Sequence, residues 1–112
     1  MARILLVDDD PLLLDLLRRY LEKRGYETAV GLSAEDAFRV FDADRDALII
    51  ADLTLPGMGG DELLRRLREK NSALAGILMS GYPTETEIRG AIFLQKPFMP
   101  QALIGEIEKL LG

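Results

Sequence analysis

Ile4-Leu5-Leu6-Val7-Asp8-Asp9-Asp10-Pro11 is the stretch whose reading decides the fold. Four apolar residues with no polar alternation read as a short strand buried on both faces, as in a parallel sheet. Asp10-Pro11 then reads as the N-cap and first residue of a helix. A carboxylate there accepts from free amides, and proline has no amide to leave unpaired.

Three more apolar runs end in polar residues. Leu48–Ala51 runs into Asp52, Ile77–Met79 into Ser80, and Ala91–Leu94 into Gln95, Lys96 and Pro97. Glu27–Gly31 is a weaker strand. Helical patterns lie between the strands. The first runs from Pro11 to about Arg24, with Leu13, Leu17, Tyr20 and Leu21 on one face and Gly25 as its stop. Ser33 caps Ala34–Phe41. Asp61–Lys70 carries Leu63, Leu64 and Leu67 on one face, and Pro100–Leu111 closes the chain. Strands alternating with helices predict an α/β fold, a doubly wound five-stranded parallel sheet with helices on both faces. Ligands of such sheets bind at the carboxyl ends of the strands.

The chain has 112 residues, enough for a single domain spanning 1–112. Its composition, 48% hydrophobic and 29% charged, is that of a globular protein. No run approaches the roughly eighteen apolar residues of a membrane span. The first residues lead directly into a strand, so no secretory leader is expected. Cysteine is absent, which removes disulfide and thiol chemistry and fits a cytoplasmic location. A net charge of −5 argues against direct nucleic-acid binding. Histidine is absent too, so there is no imidazole base or ligand within the chain. Any metal is expected to be hard and oxygen-ligated, with Mg2+ the first candidate.

If the four runs are parallel strands, their endings share one edge. Asp8, Asp9, Asp52, Ser80 and Lys96 then line one crevice. Two carboxylates about 5 Å apart repel by roughly 3 kcal/mol at an effective dielectric near 20. Three of them call for a cation or raised pKa values. Each residue has a plainer reading as well. Asp10 is best explained as the helix cap. Asp52 and Ser80 would alone pass for turn residues, and Phe93 for core or sheet-edge packing. Lys96 at a strand end before Pro97 reaches the crevice edge, where its ammonium can meet a phosphate as a point charge.

Four segments together resemble the receiver domain of two-component response regulators. They are Ile-Leu-Leu-Val-Asp-Asp-Asp-Pro (4–11), Asp-Leu-Thr-Leu-Pro-Gly-Met-Gly-Gly (52–60), Met-Ser-Gly-Tyr (79–82) and Phe-Leu-Gln-Lys-Pro-Phe (93–98). The resemblance covers essentially the whole chain. It implies a flavodoxin-like sheet of strand order 2-1-3-4-5. It implies that Asp52 accepts a phosphoryl group from a phosphohistidine on a sensor histidine kinase or histidine phosphotransfer protein. Asp9, Asp52 and the Thr54 backbone carbonyl would ligate magnesium, with Asp8 acting largely through water. Lys96 and Ser80 would bind phosphoryl oxygens, and Phe93 would turn inward as the switch aromatic. Thr54 and Tyr82 would tune dephosphorylation. Such a domain catalyses its own phosphotransfer and slow dephosphorylation without being a turnover enzyme.

Three departures from the family pattern stand out. Gly59-Gly60 replaces the frequent Asp-Gly. Tyr82 is bulky and is expected to restrict attacking water, giving a long-lived phosphoryl group. Only ten residues, Gly81 to Gly90, connect the fourth and fifth strands, whereas a parallel crossover usually takes about a dozen. The helix of that connection, over Pro83–Arg89, is therefore expected to be shortened or irregular, and signalling through the usual dimer is in doubt.

Other classes fit less well. An aspartate-nucleophile phosphohydrolase normally wants two aspartates two residues apart and a cap domain. Here Leu53-Thr54 follows Asp52. A flavin or nucleotide binder would want a glycine-rich phosphate loop after the first strand. A degenerate receiver used only for protein contacts would not need Asp9, Asp52, Ser80 and Lys96 intact. The chain is expected to be a stand-alone receiver or one excised from a longer regulator or hybrid kinase.

Overall fold

A computed structural model describes residues 2–84 and 87–112. Strand β1 is Arg3–Val7, helix α1 Pro11–Lys23, β2 Glu27–Gly31, α2 Ala34–Val40 and β3 Asp46–Asp52. Helix α3 follows at Gly60–Leu67, then β4 at Ala75–Ser80, β5 at Ala91–Gln95 and α4 at Pro100–Leu111. All four strand pairings are parallel, in the order β2-β1-β3-β4-β5. The expected doubly wound sheet is what the chain forms.

Alternation along the strands divides the core into two layers. Ile4, Leu6, Leu48, Ile50, Ile77 and Met79 face one side and pack against Leu14, Leu17 and Leu21 of α1 and Leu103 and Ile107 of α4. Leu5, Val7, Ile49, Ala51 and Leu78 face the other and meet Ala37 of α2 and Leu63, Leu64 and Leu67 of α3. Each large aliphatic side chain fully buried in these layers contributes about 1.5–3 kcal/mol. Leu14, rather than the expected Leu13, is the buried first-turn contact of α1; Leu13 and Tyr20 are only half-buried. Among the described residues no helix is long and apolar enough to cross a membrane.

The β4–β5 connection is ten residues long, from 81 to 90. The helix expected over Pro83–Arg89 falls partly on residues 85 and 86, which lie outside the described residues. Its described residues, 83–84 and 87–89, are not helical. So short a link leaves little chain for a full helix.

A buried ion pair holds the amino-terminal edge of the sheet. Asp46 is 1% exposed, and Arg3 grips both its oxygens, through Nε to Oδ1 at 2.5 Å and Nη2 to Oδ2 at 3.0 Å. The Asp42 amide donates to Asp46 Oδ2 at 2.8 Å, and Arg3 Nη2 donates to the Val40 carbonyl at 2.7 Å. The pair ties the start of β1 to the start of β3 and to the end of α2.

Candidate functional site

Strand register sets the site. Val7 lies opposite Ala51, so Asp8 and Asp52 leave β1 and β3 at the same level. Asp52 is the last residue of β3 and Ser80 the last of β4, still inside their strands. Asp8 is 1% exposed, Asp52 8% and Ser80 5%, whereas Asp9 is exposed.

The expected division of the three leading aspartates is present. Asp10 caps α1, its Oδ1 accepting from the amides of Leu12 and Leu13 at 3.0 and 3.4 Å. Asp8 accepts from the Asp10 amide at 2.9 Å. One oxygen each from Asp8, Asp9 and Asp52 lies within 4.8 Å of the other two. Such an all-oxygen set suits a hard divalent cation and offers nothing to a soft one.

Lys96 reaches this cluster from the end of β5. Its Nζ donates to Asp8 Oδ2 at 2.9 Å and to Asp52 Oδ2 at 3.0 Å. Its own amide donates to the Ser80 carbonyl at 2.7 Å, which fixes the root of the side chain, and the following Lys96–Pro97 bond is cis. The other oxygen of Asp52 is held by Thr54, through the amide at 3.0 Å and the hydroxyl at 3.1 Å. Both oxygens of Asp52 are thus engaged, and the carboxylate is oriented.

Charge states follow from these contacts. Burial pushes the Asp52 carboxyl upward, but the Thr54 amide and the Lys96 ammonium outweigh it and hold it below the ordinary carboxylate range. Burial also dominates at Asp8, and there it wins, raising that carboxyl despite Lys96 and the Asp10 amide. Burial lowers Lys96, yet Asp8 and Asp52 more than reverse the effect, so the ammonium is held. The two acids share one cation; Asp8 is the deeper, and Asp52 has in addition both the amide and the hydroxyl of Thr54 to hold its charge.

Ser80 stands apart from the acid–lysine set, its hydroxyl accepting from the Tyr82 amide at 3.1 Å. Phe93 packs on the α2–α3 side of the sheet and is half-buried. With Ser80, Tyr82 and Pro83 it lines a cleft of about 240 Å³. Tyr82 is 78% exposed, so its ring is largely solvated.

The loop after Asp52 is shaped by glycine. Gly57 has φ +79°, a conformation side chains disfavour. Leu55 tucks into the core, and the Leu53 amide donates to the Met79 carbonyl at 2.8 Å. Gly59 is the N-cap of α3 and provides no side-chain cap. Sequence reading noted the Gly59-Gly60 pair but missed why Gly60 matters. A β-carbon on Gly60 would sit against the backbone of Asp52 itself.

Comparison with known proteins agrees with this geometry. The family model for the response regulator receiver domain matches residues 4–108. The chain is 34% identical over 114 residues to an uncharacterized 14.6 kDa protein of Leptolyngbya boryana, covering 95% of this chain and 87% of that one. It is also 34% identical to the C4-dicarboxylate transport transcriptional regulatory protein DctD of Pseudomonas aeruginosa. That match covers 98% of this chain but only 25% of DctD. The receiver domain of hybrid histidine kinase CckA superposes with a TM-score of 0.88 at 30% identity, covering 99% of this chain and 100% of that one. The response regulator TrrA of Thermotoga maritima, in complex with Mg2+ and BeF, superposes at 0.83 with 30% identity, covering 98% and 99%.

Proposed function

The chain belongs to the response regulator receiver family, and on that premise we propose that Asp52 is its phosphoacceptor. It is a phosphoacceptor signalling domain and not a turnover enzyme. The observation that carries the assignment is the convergence of Asp8, Asp9 and Asp52 oxygens within 4.8 Å, with the Lys96 ammonium 3.0 Å from Asp52.

Asp52 is the nucleophile. A carboxylate oxygen forms a P–O bond to the phosphorus of a phosphohistidine while the P–N bond breaks, and the imidazole leaves with the bonding pair. Asp52 needs no base, because it is held ionised. Thr54 orients the carboxylate through Oδ1. Lys96 then meets a phosphoryl oxygen and offsets the added negative charge. Ser80 releases the Tyr82 amide and donates its hydroxyl proton to a second phosphoryl oxygen, and Phe93 turns inward behind it. The switch is a two-state population shift biased by these new contacts. Mg2+ fits the donor set and would be held by Asp9, Asp52 and the Thr54 carbonyl, with Asp8 acting through water. When bound it neutralises phosphoryl charge in the transition state.

The donor is a sensor histidine kinase or histidine phosphotransfer protein of the cytoplasm. CckA is a hybrid histidine kinase and DctD a transcriptional regulator, so receivers like this one serve both kinds of architecture. A single domain over 1–112 is consistent with the match to residues 4–108. The test is incubation with acetyl phosphate and magnesium, read by intact mass. One phosphate adduct is expected, absent in Asp52→Asn. No adduct, or one that survives the substitution, overturns the assignment.

A further inference from the structure

We propose that the cavity between Arg68 and Arg89, at the amino-terminal edge of the sheet, binds a small phosphomonoester. The cavity holds about 540 Å³, within the usual range of small-molecule sites. Helix α3 ends at its rim, β4 begins there and β5 follows just after it, and Leu110 of α4 lines it as well. The length of β4, about 16 Å, separates Ala75 at this edge from Ser80 at the other. The cavity is therefore apart from the strand-end crevice, and its ligand does not depend on the role of Asp52.

Two cations converge here. Arg68 donates through Nε to the Leu74 carbonyl at 2.8 Å. Its Nη2 lies so near Gly90 that an added β-carbon there would sit 2.7 Å away. The guanidinium is thus beside the backbone that carries Arg89, which lines the same cavity. Arginines elsewhere in the chain have their charge met. Arg3 has Asp46, Arg45 has Glu27, Arg65 and Arg66 have Glu62, and Arg24 lies over the Tyr20 ring. Among the described residues Arg68 and Arg89 have neither kind of partner, and no acid lines the cavity. Burial and then Arg89 oppose the charge of Arg68.

A plainer reading makes Arg68 a cap of α3, its charge set against the helix dipole. Capping uses one of the five guanidinium donors. It gives no reason for a second arginine at the same cavity, where two like charges call for a counter-ion. Charge and lining fix the class of that ion. A phosphomonoester carries about −1.5 to −2 at neutral pH and so balances both guanidiniums. A lone carboxylate balances one. The arginine fork also matches phosphate oxygens two at a time. The Ser72 hydroxyl offers a further donor, and Leu74 and Leu110 give an apolar wall for an organic group on the phosphate. A bound phosphate would tie the end of α3 to the β4–β5 link.

The experiment is titration of adenosine monophosphate (AMP) into isotope-labelled protein in metal-free buffer, read by amide and arginine side-chain NMR. Saturable shifts are expected at Arg68, Ser72 and Gly90, and none at Asp9, Asp52 or Lys96. Arg89→Gln, an exposed position, should weaken AMP about fivefold, the upper end of what one exposed ion pair contributes. Arg68→Gln should weaken it more, and Asp52→Asn should bind as wild type does. Adenosine should leave the site unmoved, and inorganic phosphate should bind there more weakly than AMP. No saturable shift by about 5 mM, where a millimolar site is mostly filled, overturns the proposal. So does equal binding by a folded Arg89→Gln, a response confined to the strand-end crevice, or inorganic phosphate binding as tightly as AMP. A phosphoserine peptide that binds more tightly than AMP overturns the small-molecule reading in favour of a protein partner.

Discussion

Gly60 presses its α-carbon against the carbonyl of Asp52, so that an added β-carbon would lie 2.5 Å from that oxygen. Helix α3 begins at the same residue, whose amide donates to the Leu53 carbonyl at 3.1 Å. The backbone of Asp52, the proposed phosphoacceptor, is therefore seated on the first turn of a helix. Gly60→Ala must push the two apart. We expect a loss of about 1–3 kcal/mol, the usual cost of forced overpacking, and slower phosphorylation by acetyl phosphate. An unchanged urea midpoint with unchanged phosphorylation would contradict the close approach.

Asp46 is expected to be a determinant of stability and not of chemistry. Its removal leaves Arg3, whose guanidinium is held mainly by that carboxylate, without its partner in a part-buried setting. Asp46→Ala should cost about 3–5 kcal/mol in denaturant unfolding. The folded fraction should still accept phosphate at Asp52. Replacing Arg3 and Asp46 together by apolar residues should recover part of the loss, because no lone charge remains. Loss of phosphorylation in fully folded Asp46→Ala would place the residue in the reaction after all.

Lys96 makes an alkaline signature. Its value lies above the ordinary 10.5, since Asp8 and Asp52 together outweigh burial. A group raised in the folded state contributes fully below its unfolded value and loses that contribution as pH climbs through the folded one. The melting-temperature gap between wild type and Lys96→Met, in metal-free buffer, should be level from neutral pH to 10.5, where Asp8 and Asp52 stay ionised, and narrow above it. A gap that keeps its size well into the alkaline range would show that the ammonium is not what stabilises the crevice.

Tyr82 is expected to slow hydrolysis of the acyl phosphate, but modestly. Its ring is 78% exposed before phosphorylation and shields the site only if it swings over it. Tyr82→Ala should shorten the phosphoryl half-life by less than about tenfold, or roughly 1.4 kcal/mol in the barrier. The decay of intact phosphoprotein mass is the measurement. A half-life that does not change would remove Tyr82 from the lifetime question.

Much of this was legible in the sequence, for physical reasons. Continuous apolar runs have few places to go except a doubly covered sheet, and their endings then share an edge by topology. That logic found Asp8, Asp9, Asp52, Ser80 and Lys96, and it separated Asp10 as a cap. The short β4–β5 link was a matter of counting residues. Features that depend on distant partners stayed hidden. Arg3 and Asp46 are 43 residues apart and look like ordinary polar flanks of two strands. Leu14 took the place expected of Leu13 because neighbouring apolar residues leave the rotation of α1 open to tertiary packing. The contact of Gly60 with Asp52 required the path of the loop between them.

Strand β1 carries the charge of a structural ion pair at one end and the carboxylates of the candidate site just beyond the other. Arg3 and Asp8 are separated by about 16 Å of extended chain, and the intervening residues are wholly apolar and buried. Perturbations that far apart, with no shared partner, usually add independently. The rigidity of the scaffold and the pace of its chemistry can therefore drift separately under selection. A lineage could retune how long a signal lasts without renegotiating whether the domain folds.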